Sequence, residues 1–152
     1  MGTAMVSSER LKGQRVYLDT NIFIYHLIGY EPLRPQLDVV FGLIDREEFQ
    51  AVTSELALAE ILVKPFRDGN SDQQVQCRDF LESNPRIKLH PITRSILISA
   101  ARIRAESALK LADAIHLGTA QTAGCTITLT NDLRLATAGN MEFVLLSDVE
   151  RV

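Results

Sequence analysis

The chain has 152 residues, 46% hydrophobic and 23% charged, with 16 Lys and Arg against 19 Asp and Glu. This length suits one domain with a substantial core, and the composition argues against disordered, collagenous and coiled-coil proteins. The net charge of −3 disfavours a protein that grips nucleic acid through an overall positive field, although a local basic rim remains compatible with it.

Membrane and secretory signals are missing from the sequence. No apolar stretch approaches the roughly 20 residues that cross a bilayer, and the first residues lack the apolar segment of a secretory signal. The two cysteines are too few for a disulfide framework, which favours reduced thiols. We therefore expect a cytoplasmic protein with no membrane anchor. The whole chain, 1–152, is interpreted as one domain, in which residues 1–15 are a lead-in that is either an extension or a tag.

Predicted strands and helices alternate along the chain. The strand segments are residues 16–18, 49–53, 87–92, 126–130 and 143–146, each short and apolar. Helical patterns lie between them, at residues 22–28, 37–44, 55–63, 71–81, 93–103 and 111–123, and a short helix follows residue 132. Pro65 and Gly69 are expected to close the helix at 55–63, Ser71 with Gln74 forms a capping-box pattern at the start of the next helix, and Thr93 is the expected cap of the helix at 93–103. This alternation predicts the α/β class: a parallel sheet with right-handed crossovers and helices on both faces.

Two acids directly follow predicted strands. Asp19 comes after the first strand, and Asp132 follows the strand at 126–130 after one intervening residue. Ligands of a parallel sheet bind beyond the carboxyl ends of the strands, so both acids are candidate ligand-binding residues. Helix N-capping explains either one alone without any chemistry.

A third acid interrupts an apolar helix. Glu60 lies within a segment, residues 56–63, that is apolar on nearly every side. Such a helix is expected to be buried, and its carboxylate must then be paired or given to a ligand. The alternative partner is Lys64, four residues later on the same face.

The fourth acid repeats that pattern. Asp113 is surrounded by small and apolar residues at 111–117. The alternative is that Asp113 complements the helix dipole in the first turn, beside Lys110 or His116.

Four acids of this kind would repel one another if they clustered, and a bound cation would stabilise them at neutral pH. Ligation by oxygen alone, without a spaced Cys or His set, favours Mg²⁺ or Mn²⁺ over zinc. This combination is typical of phosphodiester hydrolysis by a metal-activated water. Without the four, 15 acids remain against 16 basic residues, so the net acidity is no argument against a nucleic-acid partner.

The ordered set of segments resembles the signature of PIN-domain ribonucleases, and within that family the VapC-type toxins of toxin–antitoxin pairs. The resemblance runs from about residue 16 to the C-terminus. It is carried by Leu18-Asp19-Thr20-Asn21, by Glu60 in an Ala-Glu-Ile-Leu helix, by Ala112-Asp113-Ala114-Ile115-His116-Leu117 and by Thr130-Asn131-Asp132.

The resemblance implies a three-layer α/β/α sandwich with a central parallel sheet and an Mg²⁺- or Mn²⁺-dependent endoribonuclease. Asp19 and Asp113 would be the principal metal ligands and catalytic residues. Glu60 would complete the site, and Asp132 would hold a second ion or an outer water. An RNA substrate, a cognate antitoxin and a homodimer are also implied. The supporting polar residues would be Thr20, Asn21, Thr130 and Asn131.

Other residues carry weaker signals. His116 is a candidate substrate contact or metal ligand, but a lone histidine on a helix is more often structural, because one ligand makes no metal site. Six basic residues flank the proposed site in sequence and are candidate phosphate contacts, although solvated charge explains each one alone. They are Lys64, Arg67, Arg102, Arg104, Lys110 and Arg134.

Two other functions stay open. A catalytically inactive PIN-like module could bind metal or RNA as a scaffold, but a scaffold does not require all four acids. A phosphatase of the haloacid dehalogenase type also begins with an Asp after its first strand. That chemistry needs a second Asp two residues later, where this chain has Asn21.

Overall fold

The computed structural model describes residues 5–136 and 141–151. Within them, five parallel strands form one sheet in the order β3-β2-β1-β4-β5. This arrangement confirms the predicted α/β class with a central parallel sheet. The strands are β1 (Arg15–Leu18), β2 (Gln50–Ser54), β3 (Ile87–His90), β4 (Ile127–Thr130) and β5 (Glu142–Leu145).

Seven α-helices lie in the described part of the chain and link the strands. They are α1 (Thr20–Ile28), α2 (Arg34–Asp45), α3 (Leu56–Arg67), α4 (Ser71–Glu82), α5 (Arg94–Glu106), α6 (Leu111–Thr122) and α7 (Leu133–Ala136). Asp19 caps α1 and Thr93 caps α5, both as predicted, by accepting a hydrogen bond from a backbone N–H of the first turn. None of the helices described here is long and apolar enough to cross a membrane.

The central strand β1 shows why the molecule has three layers. Val16 and Leu18 belong to the large core under α1 to α4, whereas Tyr17 packs with Ala120 of α6 on the other face. Successive strand residues point to opposite faces, and here all three are fully buried. Both faces of the sheet are therefore covered by helices, as an all-parallel sheet requires.

The described part of the N-terminal lead-in packs against the domain. Val6 forms a parallel bridge with Val149, and the backbone N–H of Gly13 donates to the carbonyl of Glu48 at 2.8 Å. Leu11 is fully buried in the core. The segment therefore contributes apolar burial to the fold, while residues 1–4 lie outside the described part.

Three local expectations were wrong. Pro65 and Gly69 were expected to close the third helix after residue 63, but α3 continues through Pro65 to Arg67, and only Gly69, at a φ of 62°, lies beyond its end. Asn70, rather than Ser71, caps α4 and accepts from the N–H of Gln73. The face of α3 that carries Val63 is exposed, so this helix is not buried on every side.

Candidate active site

The candidate site lies where the chain reverses its direction of travel across the sheet. From β1 the chain first builds outward through β2 and β3, and it later returns to add β4 on the opposite side of β1. In parallel α/β folds, ligands bind in the crevice beyond the carboxyl ends of the strands at such a switch point. Asp19 and Asp132 follow β1 and β4, so the topology places both acids at this crevice.

Asp19 is held by two elements. Its Oδ1 accepts from the N–H of Thr20 at 2.9 Å, and its Oδ2 accepts from the hydroxyl of Thr130 at 2.9 Å. The residue is only 8% exposed. Burial raises the pKa of Asp19, and the opposing effects of His116, Thr130 and Thr20 only partly offset it. The carboxylate is therefore fixed in place but short of positive charge, which suits a cation ligand.

Glu60 reaches the same crevice from α3. Its Oε1 accepts from the hydroxyl of Thr20 at 2.7 Å and lies 2.5 Å from Nε2 of His116. Burial acts to raise the pKa of Glu60, but the hydrogen bond and electrostatic interaction with His116, together with the hydrogen bond from Thr20, outweigh it and the net direction is downward. Lys64, the partner considered from sequence, instead pairs with Asp68 at 2.8 Å.

His116 connects Glu60 to the core. The ring is 2% exposed, and its Nδ1 lies 2.5 Å from the hydroxyl of Tyr17. Nε2 also lies 3.2 Å from the hydroxyl of Thr20. Burial raises the pKa of Tyr17 well above its usual value, so the phenol stays protonated. A hydrogen-bonded chain thus runs from the buried face of β1 to the site.

Asp113 and Asp132 complete the acidic lining. Asp113 lies in the first turn of α6, as expected for an acid that complements the helix dipole. Asp132 pairs with Arg134, whose Nη2 lies 2.9 Å from Oδ2. The hydrogen bond from Arg134 holds the pKa of Asp132 below its usual value. The pKa of Arg134 is raised by Asp132 and further by the charge of Asp113, so the guanidinium interacts electrostatically with both acids.

All four predicted acids line one cleft of about 360 Å³. Of the six basic candidates, Lys110 and Arg134 line it as well. Thr20 and Asn21 also lie along it, whereas Asn131 is engaged elsewhere, since its Oδ1 accepts from the N–H of Ser147 at 3.2 Å. The lining comprises Asp19, Thr20, Asn21, Ile24, Glu60, Lys110, Ala112, Asp113, Asp132 and Arg134.

The donor chemistry of the cleft fits a hard divalent cation. Its ligating groups are carboxylate, hydroxyl and amide oxygens, which Mg²⁺ and Mn²⁺ prefer. No three His, Cys, Asp or Glu side chains of the described residues are arranged as a ready-made metal cage. Asp19, Glu60 and Asp113 are the residues that would hold an ion, and Asp132 would first have to loosen its pairing with Arg134.

Sequence reasoning missed the contact between Glu60 and His116. The two residues are 56 positions apart and lie on helices that follow different strands, so no local pattern links them. The available signal was that His116 lies one helical turn after Asp113, on the same face of α6. That spacing placed the histidine beside the site without revealing its partner.

The chain matches a family model described as PIN domain over residues 16–140. No curated protein matches the chain by sequence.

Solved structures share the fold at low sequence identity. VapC20 from Mycobacterium tuberculosis, described as a sarcin-ricin loop cleaving toxin, has a TM-score of 0.68 at 15% identity, covering 84% of this chain and 97% of its own. VapBC2 from Rickettsia felis, bound to promoter DNA, has a TM-score of 0.67 at 15% identity, with 86% and 98% covered. A toxin–antitoxin complex from Klebsiella pneumoniae has a TM-score of 0.64 at 24% identity, with 86% and 97% covered.

Proposed function

This chain belongs to the PIN domain family, and from that premise we propose that it is an Mg²⁺- or Mn²⁺-dependent endoribonuclease, the toxin of a toxin–antitoxin pair that acts in the cytoplasm. The observation that carries the proposal is the meeting of Asp19, Glu60, Asp113 and Asp132 in one cleft. They come from four separate stretches of chain, and helix capping explains neither the position of Glu60 nor its contact with His116.

The side chains divide the work of phosphodiester hydrolysis. Asp19 is held in place by two elements of the fold, because hydrogen bonds from Thr20 and Thr130 fix both of its oxygens. Glu60 keeps Oε2 available to orient the attacking water, since the hydrogen bonds from Thr20 and His116 both go to Oε1. When bound, a divalent ion would lower the pKa of that water and neutralise charge that develops on the phosphate.

Two basic residues suit the RNA backbone. Lys110 and Arg134 are exposed side chains on the lining of the acidic cleft. Phosphate contacts from Lys and Arg position a nucleic acid without reading its sequence. These residues would hold the strand so that one phosphate faces the four acids.

The experiment is RNA cleavage by purified protein in Mg²⁺ and in excess EDTA, with Asp19→Asn and Asp113→Asn as the site variants. Both variants are expected to fold and to lose cleavage and Mg²⁺ binding together. Asp72→Asn is the matched control, because this exposed acid lies in the first turn of α4, outside the cleft. Undiminished cleavage by either site variant, or by wild type in EDTA, would contradict the proposal.

A cognate antitoxin and a second copy of the chain are the proposed protein partners. The structural support is exposed apolar surface on neighbouring helices, with Val63 and Phe66 on α3 and Val75 on α4, all between 49% and 60% exposed. Solved structures with this fold include complexes with antitoxins. Native mass determination, alone and after co-expression with the product of the adjacent reading frame, tests both partners.

A scaffold without catalysis is the second candidate. One observation favours it: Arg134 already neutralises Asp132, which reduces the negative charge offered to a cation. A thermal shift with Mg²⁺ but no turnover of any RNA or single-stranded DNA would favour this candidate over the nuclease.

A further inference from the structure

A buried polar chain lies behind the acidic cleft and ends on Glu60, one of the acids that line it. It runs from the Tyr17 hydroxyl to Nδ1 of His116, and from Nε2 of His116 to Oε1 of Glu60, each step spanning 2.5 Å. Tyr17 is fully buried and His116 is 2% exposed. Neither residue lines the cleft, so neither can touch a substrate there.

Proton positions along the chain follow from donor and acceptor chemistry. Oε1 of ionised Glu60 can only accept, so Nε2 of His116 must carry the hydrogen that lies between them. The Thr20 hydroxyl donates to the same oxygen and can accept nothing from a carboxylate. The other ring nitrogen, Nδ1, is then left to pair with the Tyr17 hydroxyl at 2.5 Å. Each nitrogen of the ring therefore has a polar partner within the chain.

We propose that His116 is a positioning residue for Glu60, that Tyr17 fixes the orientation of its ring, and that the pair aims the free Glu60 oxygen into the cleft; this inference rests on the proposed metal-dependent hydrolysis. Oε1 receives two donors on its inner side. The carboxylate can therefore not rotate without breaking both hydrogen bonds, and Oε2 stays directed toward a cation or water. The arrangement matches the outer-shell hydrogen bonding that fixes ligand orientation in metal sites.

Burial distinguishes this role from ordinary core packing. Glu60 sits on α3 with 35% of its side chain exposed, and a glutamate so placed could satisfy itself with water. Instead it reaches inward to a histidine on α6, whose second nitrogen is met by a phenol on β1. Thr20 of α1 and His116 of α6 thus both contact one carboxylate oxygen of Glu60, and β1 supplies the phenol behind the histidine.

The experiment compares three substitutions that change this chain in graded ways. His116→Ala removes the donor to Glu60, Tyr17→Phe removes one oxygen that never contacts Glu60, and His116→Gln retains an N–H that can reach Oε1. We expect His116→Ala to weaken Mn²⁺ affinity or lower kcat about 10–100-fold. Tyr17→Phe should reduce the same quantities about 3–10-fold. KM for RNA stays near that of wild type, and His116→Gln recovers most of the loss.

Titration calorimetry with Mn²⁺ alone gives the affinity without any turnover. The imidazole ¹⁵N spectrum of the metal-free wild type should show hydrogen on Nε2 of His116, and the Nδ1 signal should move in Tyr17→Phe. Tyr25→Phe is the matched control, because it removes a phenol oxygen from a residue stacked on Tyr30 outside the cleft. It is expected to leave affinity, kcat and the His116 signals unchanged.

Several outcomes would overturn the inference. If Tyr17→Phe and His116→Ala melt earlier but keep wild-type affinity and kcat, the chain only supports the core. A His116 ring without hydrogen on Nε2 would overturn it as well, as would a wild type that binds no Mn²⁺. If wild type cleaves no RNA but the graded Mn²⁺ affinities are found, the nuclease proposal fails while the positioning inference is supported.

Discussion

Replacing Asp19 by Asn or by Ala separates its role in the fold from its role in the site. Both changes remove the carboxylate charge, so the energetic gain from removing a buried, unneutralised charge is common to both. Asn keeps an oxygen that can cap α1, and its amide N–H can donate to the Thr130 oxygen, in the reverse direction of the native hydrogen bond. Ala keeps neither contact. The difference in unfolding free energy between the two variants therefore measures the cap and the contact with Thr130.

The magnitude follows from two contacts. Loss of the cap at the N–H of Thr20 costs about 1 kcal/mol, and loss of the hydrogen bond from the Asn amide to the fully buried Thr130 costs about 0.5–1.5 kcal/mol. The Thr130 hydroxyl loses its acceptor in both variants, so that cost cancels. The total of about 1.5–2.5 kcal/mol corresponds to a difference in Tm of roughly 3–10 °C for a domain of this size. Asp19→Asn itself should melt, without metal, close to or above wild type.

Thermal unfolding with and without Mg²⁺ checks these expectations. At an Mg²⁺ concentration of about 100 times Kd, wild type gains about 2.7 kcal/mol, while neither variant gains stability. Equal melting temperatures for the two variants would refute the hydrogen-bond reasoning. A metal-induced rise in Asp19→Asn as large as that of wild type would refute the assignment of Asp19 as a ligand.

Three further outcomes are expected. Arg134→Ala releases Asp132 from an exposed ion pair and should tighten Mn²⁺ binding about 2–5-fold by calorimetry; unchanged affinity would show that the pair does not compete with the metal. Burial of the stacked ring lowers the pKa of His26, so the folded state binds that proton less readily than the unfolded state. Stability should then fall as pH drops below about 6.5, and urea unfolding should find a smaller fall in His26→Phe. Leu11→Ala should lower the free energy of unfolding by about 2–5 kcal/mol, and so lower Tm. Met5→Ala, at a residue 55% exposed, should leave Tm unchanged. Equal Tm values for the two variants would contradict a structural role for the lead-in.

The sequence by itself determined the features that depend on near neighbours in the chain. Alternating strand and helix patterns predicted the parallel sheet, and the caps at Asp19 and Thr93 are present as expected. Because parallel strands all end at one edge of the sheet, acids after strand ends could be predicted to meet. Local errors arose where several choices differ little in energy, as with Asn70 and Ser71 at the start of α4.

Only the tertiary structure decided which partners the acids have. The sequence suggested Lys64 as the ion-pair partner of Glu60. Lys64 has a second acid, Asp68, at the same spacing of four residues, and it forms its ion pair with Asp68. The sheet order places α3 and α6 on either side of the cleft and brings Glu60 to His116. Such contacts depend on how whole elements pack, because a buried polar atom takes the nearest complementary group in space, whatever its distance along the chain.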